Sequence, residues 1–220
     1  MRRVELFVQS IEGEIFQTQF DFDELILGGW TGRNAEEVRS HIEELKRIGV
    51  PGPERVPSFF RVSSNLLDTS RVIQVISDET NGEVEYVLFI SSGELKYVTV
   101  GSDHTDRGVE RINVHLSKQL YPKLISPLVW EFDDVKTHWD EIILRMRVDG
   151  ILSQEAKLSA LLPPEELLKL VDLRSENAVL FSGSISWIGN SLRFGKRYSF
   201  SIVDPVLGRG ISHSYEVLRI

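Results

Sequence analysis

Residues 71–101 hold three apolar, β-branched runs in close succession: "RVIQVIS", "EVEYVLFIS" and "LKYVTVG". Asn81-Gly82 and Ser92-Gly93 separate them, and each dipeptide suits the positive-φ turn of a β-hairpin. A chain with this at its centre must build around a sheet. More strands are expected on either side. The first 29 residues read as "RVELFVQS", "EIFQTQF" and "ELILGG"; the last forty or so as "AVLFSGS", "RYSFSIVD" and "GISHSYEVL". In the second of these, Arg197, Ser199 and Ser201 alternate with Tyr198, Phe200 and Ile202, the period of a half-buried strand.

Helices are few and scattered. One is predicted from about Asn34 to Ile48, with Asn34 as cap and Glu37 completing a capping-box-like pattern. Ala35, Val38, Ile42 and Leu45 form its apolar stripe, and Gly49 and Pro51 stop it. Residues 108–120 place Val109, Ile112, Leu116 and Leu120 at helical spacing. "VKTHWDEI" reads as a short helix, "IILRMRV" as a strand, and "PPEELLKLV" as a helix opened by prolines. Many short strands with few helices predict a strand-dominated α+β fold rather than a doubly wound parallel sheet.

Composition narrows the function classes. The chain has 220 residues, enough for one sizeable core, and a formal charge of −8. That balance argues against nucleic acid or an anionic membrane as partner, since both need a basic footprint. There are no cysteines, which excludes disulfides, zinc-thiolate sites and thiol nucleophiles. The N-terminus lacks a signal-peptide apolar region, and no run approaches the about 20 apolar residues of a membrane span. The expectation is a cytoplasmic protein.

Chemistry-bearing residues gather in two places. Glu83 and Glu85 are two apart on a strand, so they share a face. A lone pair of this kind is more often solvated, but the next strand ends in "GSDHTDRG", bringing Asp103 to the same sheet edge. Three carboxylates so close repel one another unless neutralised, and the expectation is that a divalent ion does so. Three oxygen ligands suit Mg²⁺ or Mn²⁺, with Ca²⁺ as a substitute. Arg107, a turn further on, could grip a substrate carboxylate. His104 should project away from Asp103, and Asp106 should cap the following helix. The second place is the helix at 34–48, where His41 and Glu44 are three apart on one face. A carboxylate beside an imidazole suits a water-activating base, although such pairs are commonly just solvated. The remaining histidines read as packing or surface residues, and Trp30 as a core or rim aromatic.

In order along the chain, "GRNAEEVRSHIEEL", "FFRVSSNLL", "GEVEYVLF", "GSDHTDRG", "SKQLYP" and "FSGSISWIGN…FGKRYSFSI" resemble the motif series of the fumarylacetoacetate hydrolase superfamily. The likeness spans about residues 28–218. "GWTGR" and "GSDHTDR" resemble an uncharacterised prokaryotic branch of it. The resemblance implies one fumarylacetoacetase-like domain over 1–220, a mixed β-roll or sandwich with peripheral helices, and residues 1–55 as a small strand-and-helix portion packed on it. It implies Glu83, Glu85 and Asp103 as the metal triad, His41 and Glu44 as the water-activating pair, and Lys118 as the lysine that stabilises developing negative charge. Arg61, Arg107, Gly183 and Ser184 fall at substrate-binding positions, Arg61 replacing the usual lysine. A homodimer is implied as well.

The expected activity is divalent-metal-dependent hydrolysis of a C–C bond in a small 2-oxo or 1,3-dicarbonyl acid. Decarboxylation or hydration at the same site is the alternative. A non-catalytic ligand-binding or scaffold protein on the same fold is the rival from another class.

Overall fold

The Ser92-Gly93 turn forms as its sequence requires, with both residues at positive φ (53° and 77°) and the flanking strands paired from Val84↔Ser102 to Ser91↔Glu94, with a register shift between Phe89 and Ile90. Around this hairpin the computed structural model builds the rest of the chain. It describes residues 1–47 and 52–220, without the side chains of residue 41 and residues 44–47.

The chain opens with β1 (Arg2–Gln9), β2 (Ile15–Phe22), β3 (Glu24–Gly29) and helix α1 (Ala35–Arg47). Next come β4 (Ser58–Val62), β5 (Leu67–Asp68), β6 (Val72–Val75) and β7 (Thr80–Asn81). The hairpin itself is β8 (Val84–Ser91) and β9 (Glu94–Asp103), followed by β10 (Thr105–Asp106), α2 (Arg107–Glu110) and α3 (Val114–Gln119). Then follow β11 (Lys123–Ile125), β12 (Leu128–Glu131), α4 (Phe132–Val135), β13 (Ile143–Val148) and β14 (Ile151–Lys157). The last are α5 (Pro164–Leu170), β15 (Ala178–Phe181), β16 (Arg197–Asp204) and β17 (Arg209–Arg219).

Two main sheets result. The larger runs β2-β1-β12-β9-β8-β15-β3-β4, with β11 and β5 attached through β9; the smaller runs β14-β13-β16-β17-β6. Strand β8 explains why its sequence does not alternate. Val84, Tyr86, Leu88 and Ile90 pack with Leu144, Met146, Phe200 and Tyr215 of the smaller sheet. Val87 and Phe89 point the other way, into a second core with Leu6, Phe22, Leu27 and Phe181. A strand covered on both faces has no solvent side to mark.

Three expectations need correction or limit. Asn81-Gly82 does not close a hairpin: β6 pairs in parallel with β17 and β7 with β10, so the chain crosses between sheets there. The single helix expected over 108–120 is two, because Asn113 accepts a hydrogen bond from the Leu116 N–H and starts α3 afresh. Ile112 and Leu116 are consequently exposed. The cap on α1 forms as expected, with Asn34 Oδ1 accepting from the N–H groups of Glu36 and Glu37 and Asn34 Nδ2 donating to Glu37, but the stop at Gly49 and Pro51 lies outside the described residues. Among the described residues no helix is long and apolar enough to cross a membrane.

Candidate active site

The antiparallel ladder sets the site. Glu83 and Asp103 stand opposite each other, each N–H donating to the other's carbonyl at 3.2 and 3.0 Å. Directly opposed residues share a face, and Glu85, opposite Gly101, shares it too. On the far side of β9, Lys123 of β11 is paired with Asp103. Parity therefore puts Glu83, Glu85, Asp103 and Lys123 on one face, at the end of the second core. Helix α3 adds Lys118 from its last turn.

The carboxylates are neutralised by the chain's own cations. Lys118 Nζ donates to Asp103 Oδ2, and Lys123 Nζ lies 2.7 Å from Oδ1 while also donating to the His104 carbonyl at 2.7 Å. Asp103 and Lys123 have no exposure at all, and Lys118 is 6% exposed. Arg107 Nη2 is 3.1 Å from Glu83 Oε2. Its other nitrogens donate to Asn81 Oδ1 at 2.5 Å and to Glu110 Oε2 at 2.7 Å. Trp187 Nε1 donates to Glu83 Oε1 at 3.3 Å, and the Gly183 N–H to Glu85 Oε2 at 2.7 Å. The expectation that a divalent ion alone neutralises these acids is thus narrowed: Lys118, Lys123 and Arg107 also supply opposing charge.

Protonation follows burial and neighbours. Burial opposes ionisation of Asp103, yet Lys118 and Lys123 outweigh it and hold its carboxyl far below the usual range. Glu85 goes the other way: burial, then the charge of Asp103, push its carboxyl well up, only partly offset by Lys118 and the Gly183 N–H. Burial lowers Lys123, against the pull of Asp103. Burial also disfavours the charged form of Lys118, but Asp103, Glu85 and Glu83 raise it above its ordinary value. Two nearby carboxyls driven apart in this way can divide the roles of acceptor and proton donor.

The remaining predicted residues divide. Gly183 has φ of +89°, and a Cβ there would lie 2.3 Å from Thr31 Oγ1, so only glycine brings its N–H against Glu85. That N–H is therefore occupied by Glu85 rather than free for a substrate. Ser184 accepts from Gln154 Nε2 at 2.8 Å and donates to the Ile185 carbonyl at 3.0 Å. Arg107 is likewise held by Glu83, Glu110 and Asn81, not open as a substrate clamp. Arg61 does not join the group. It pairs with Ile26 in β3, a residue of the first core, and its guanidinium is held by Glu24 at 2.8 Å and by the Asp172 carbonyl. Helix α1 carries positions 41 and 44, but the side chains of His41 and Glu44 lie outside the described residues.

His104 projects away from Asp103 as expected. Its ring lies among Tyr121, Tyr198 and Tyr215, with Nδ1 2.9 Å from the Tyr215 hydroxyl. Burial, then Lys123 and Arg107, depress its pKa to about 3. Asp106 caps α2 through the Val109 N–H at 3.0 Å, also as expected. Lys123 was not singled out from the sequence, although a lone lysine in "YPKLISP" interrupts an apolar run. Phe60, opposite Leu27 in β4, was also missed. Its ring lies 5.9 Å from Lys118 Nζ and 6.1 Å from the ring of Trp30, making Trp30 a half-buried rim aromatic.

Donor chemistry fits Mg²⁺ or Mn²⁺: three carboxylates on one face, all hard oxygen ligands. Their present arrangement does not yet make a cage. Among the described residues no three Asp, Glu or His side chains converge closely enough to hold a metal ion, and both Asp103 oxygens face ammonium groups. Two cavities, of about 430 and 370 Å³, are lined by no residue of this cluster.

Comparison with known proteins now places the chain. The family model described as "Protein of unknown function (DUF2848)" matches residues 28–215. The chain belongs to the DUF2848 family. No curated protein matches it. Solved structures show the fold. A yeast fumarylacetoacetate hydrolase family protein has a TM-score of 0.65 at 17% identity, covering 90% of this chain and 94% of that one. A 5-carboxymethyl-2-hydroxymuconate delta-isomerase from Mycobacterium smegmatis gives 0.63 at 17%, covering 90% and 79%. A 2-keto-3-deoxy-D-arabinonate dehydratase complexed with magnesium and 2,5-dioxopentanoate gives 0.62 at 17%, covering 91% and 74%. This DUF2848 chain thus has the strand-dominated α+β fold of fumarylacetoacetate hydrolase family proteins.

Proposed function

We propose that this DUF2848 protein is a Mg²⁺- or Mn²⁺-dependent enzyme that cleaves a C–C bond by hydrolysis in a small 2-oxo or 1,3-dicarbonyl acid. The observation that carries the reading is the shared face of Glu83, Glu85 and Asp103, with Lys118 beside them, at one end of the larger sheet. When held by those three carboxylates, the metal would act as Lewis acid on the 2-oxo group of the substrate. Lys118 meets the substrate carboxylate, and Phe60 and Trp30 keep water from that side. Arg107 positions Glu83, and the Gly183 N–H positions Glu85, so neither acid has to reorganise during the reaction. The role of the base that takes the proton from the attacking water is assigned to His41, with Glu44 three residues on as its sequence partner. A lyase reaction on the same substrate class is the second reading, and the likeness to a 2-keto acid dehydratase favours it.

Calorimetry with oxalate and pyruvate tests the binding mode. Metal-stripped protein is expected to take up either anion only after Mg²⁺ is restored, and Glu83→Ala to lose that uptake. Equal binding with and without the cation would remove the metal from the proposal.

A further inference from the structure

The two lysines on Asp103 are not equivalent. Lys123 lies inside β11, opposite Asp103 in register, has no exposure, and has a second anchor in the His104 carbonyl. Lys118 comes from the last turn of α3, a six-residue helix. It has Asp103 as its ion-pair partner and the Phe60 ring beside it. Of the two, Lys118 can leave Asp103 by changing its own side-chain torsions, whereas Lys123 would have to break its bond to the main chain as well. Glu83 is answered separately by Arg107, so Lys118 is the cation on Asp103 that has no main-chain anchor among the described residues.

We propose that Lys118 is a tethered cation that guards the carboxylate set: it neutralises Asp103 while no metal is present, and a divalent ion enters only as Lys118 leaves Asp103. The proposal deepens the metal-dependent reading above and rests on it. Its physical basis is exchange. Divalent-ion binding must replace an ion pair already made, so the net gain is the difference between two favourable interactions rather than the whole of one. The released ammonium, still beside Phe60, is then free to pair with an anion arriving on the metal side. Metal and anionic ligand are therefore coupled through this lysine, each favouring its displaced position.

Calorimetric titration of metal-stripped protein with Mn²⁺ alone tests this. Lys118→Met, which keeps most of the stem and removes the charge, is expected to bind Mn²⁺ roughly tenfold or more tightly than the unaltered chain. Lys118→Gln should behave alike, and adding Glu83→Ala should abolish the gain and locate the ion. A second measurement needs no variant. Acetylation of Lys118, followed by peptide mass spectrometry, should be slow in metal-stripped wild-type protein and rise when Mn²⁺ is added. Equal Mn²⁺ affinity with and without Lys118, or unchanged acetylation at saturating Mn²⁺, would overturn the guarding role while leaving the metal-dependent function standing. Absence of Mn²⁺ binding in every form would overturn both.

Discussion

Glu24 shows how a single carboxylate ties distant segments together. It lies at the start of β3, accepts from Arg61 Nε at 2.8 Å, and takes the N–H groups of Arg174 and Ser175 at 2.6 and 2.7 Å. Burial opposes its ionisation, but Arg61 and those donors outweigh it and hold its carboxyl below the ordinary glutamate range. A folded-state pKa below the unfolded one gives stability that is fully present above the unfolded value and is lost as pH falls from there through the folded-state pKa. Glu24→Gln is therefore expected to cost about 1–3 kcal/mol near neutral pH. Urea denaturation should show the difference between variant and parent shrinking below about pH 4; a difference constant across pH would mean the charge is irrelevant. The same pairing explains why Arg61 is no substrate ligand: its guanidinium already braces β3 against the segment that follows α5.

At the scale of elements, the short helices α2 and α3 depend on caps. Asp106 and Asn113 each supply a side-chain oxygen to a first-turn N–H, which helices of four and six residues cannot replace by length. Asn113→Ala is expected to cost about 1 kcal/mol and to loosen the turn that carries Lys118. Thermal denaturation of Asn113→Ala beside Asn113→Asp checks this, because aspartate keeps the cap; equal losses in both would argue against capping. The crossing at Asn81-Gly82 is an element-level decision as well. Asn81 is held to Arg107 and paired in β7, so the residues that looked like a turn instead carry the chain from one sheet to the other.

Over the whole molecule, β8 and β9 are shared property. Tyr86, Leu88 and Val98 belong to the core between the sheets, Val87, Phe89 and Tyr97 to the core behind the larger sheet. Neither core can dissolve without unpairing the hairpin that serves both. Leu144→Ala in the first core and Phe89→Ala in the second are each expected to destabilise by roughly 2–5 kcal/mol. Both should shift one common unfolding transition, with tryptophan fluorescence and circular dichroism coinciding. Separate transitions would show that the cores unfold independently. The site inherits its rigidity from this arrangement, since Glu85 is the next residue on the same face as Val87 and Phe89.

The sequence by itself determined what neighbours along the chain decide. The strand runs, the Ser92-Gly93 turn, the Asn34 and Asp106 caps and the shared parity of Glu83, Glu85 and Asp103 all follow from local backbone geometry, whose period is legible in the residues. Tertiary structure alone decided which groups answer those charges. Lys123 reaches Asp103 because β11 happens to pair with β9, Asn81 and Glu83 close on Arg107 from other parts of the chain, and Arg61 turns to the opposite face because β4 pairs with β3 in that register. Electrostatic partners are chosen by distance in space, and a long-range strand register is fixed by packing across the whole fold, so no short stretch of sequence could announce them.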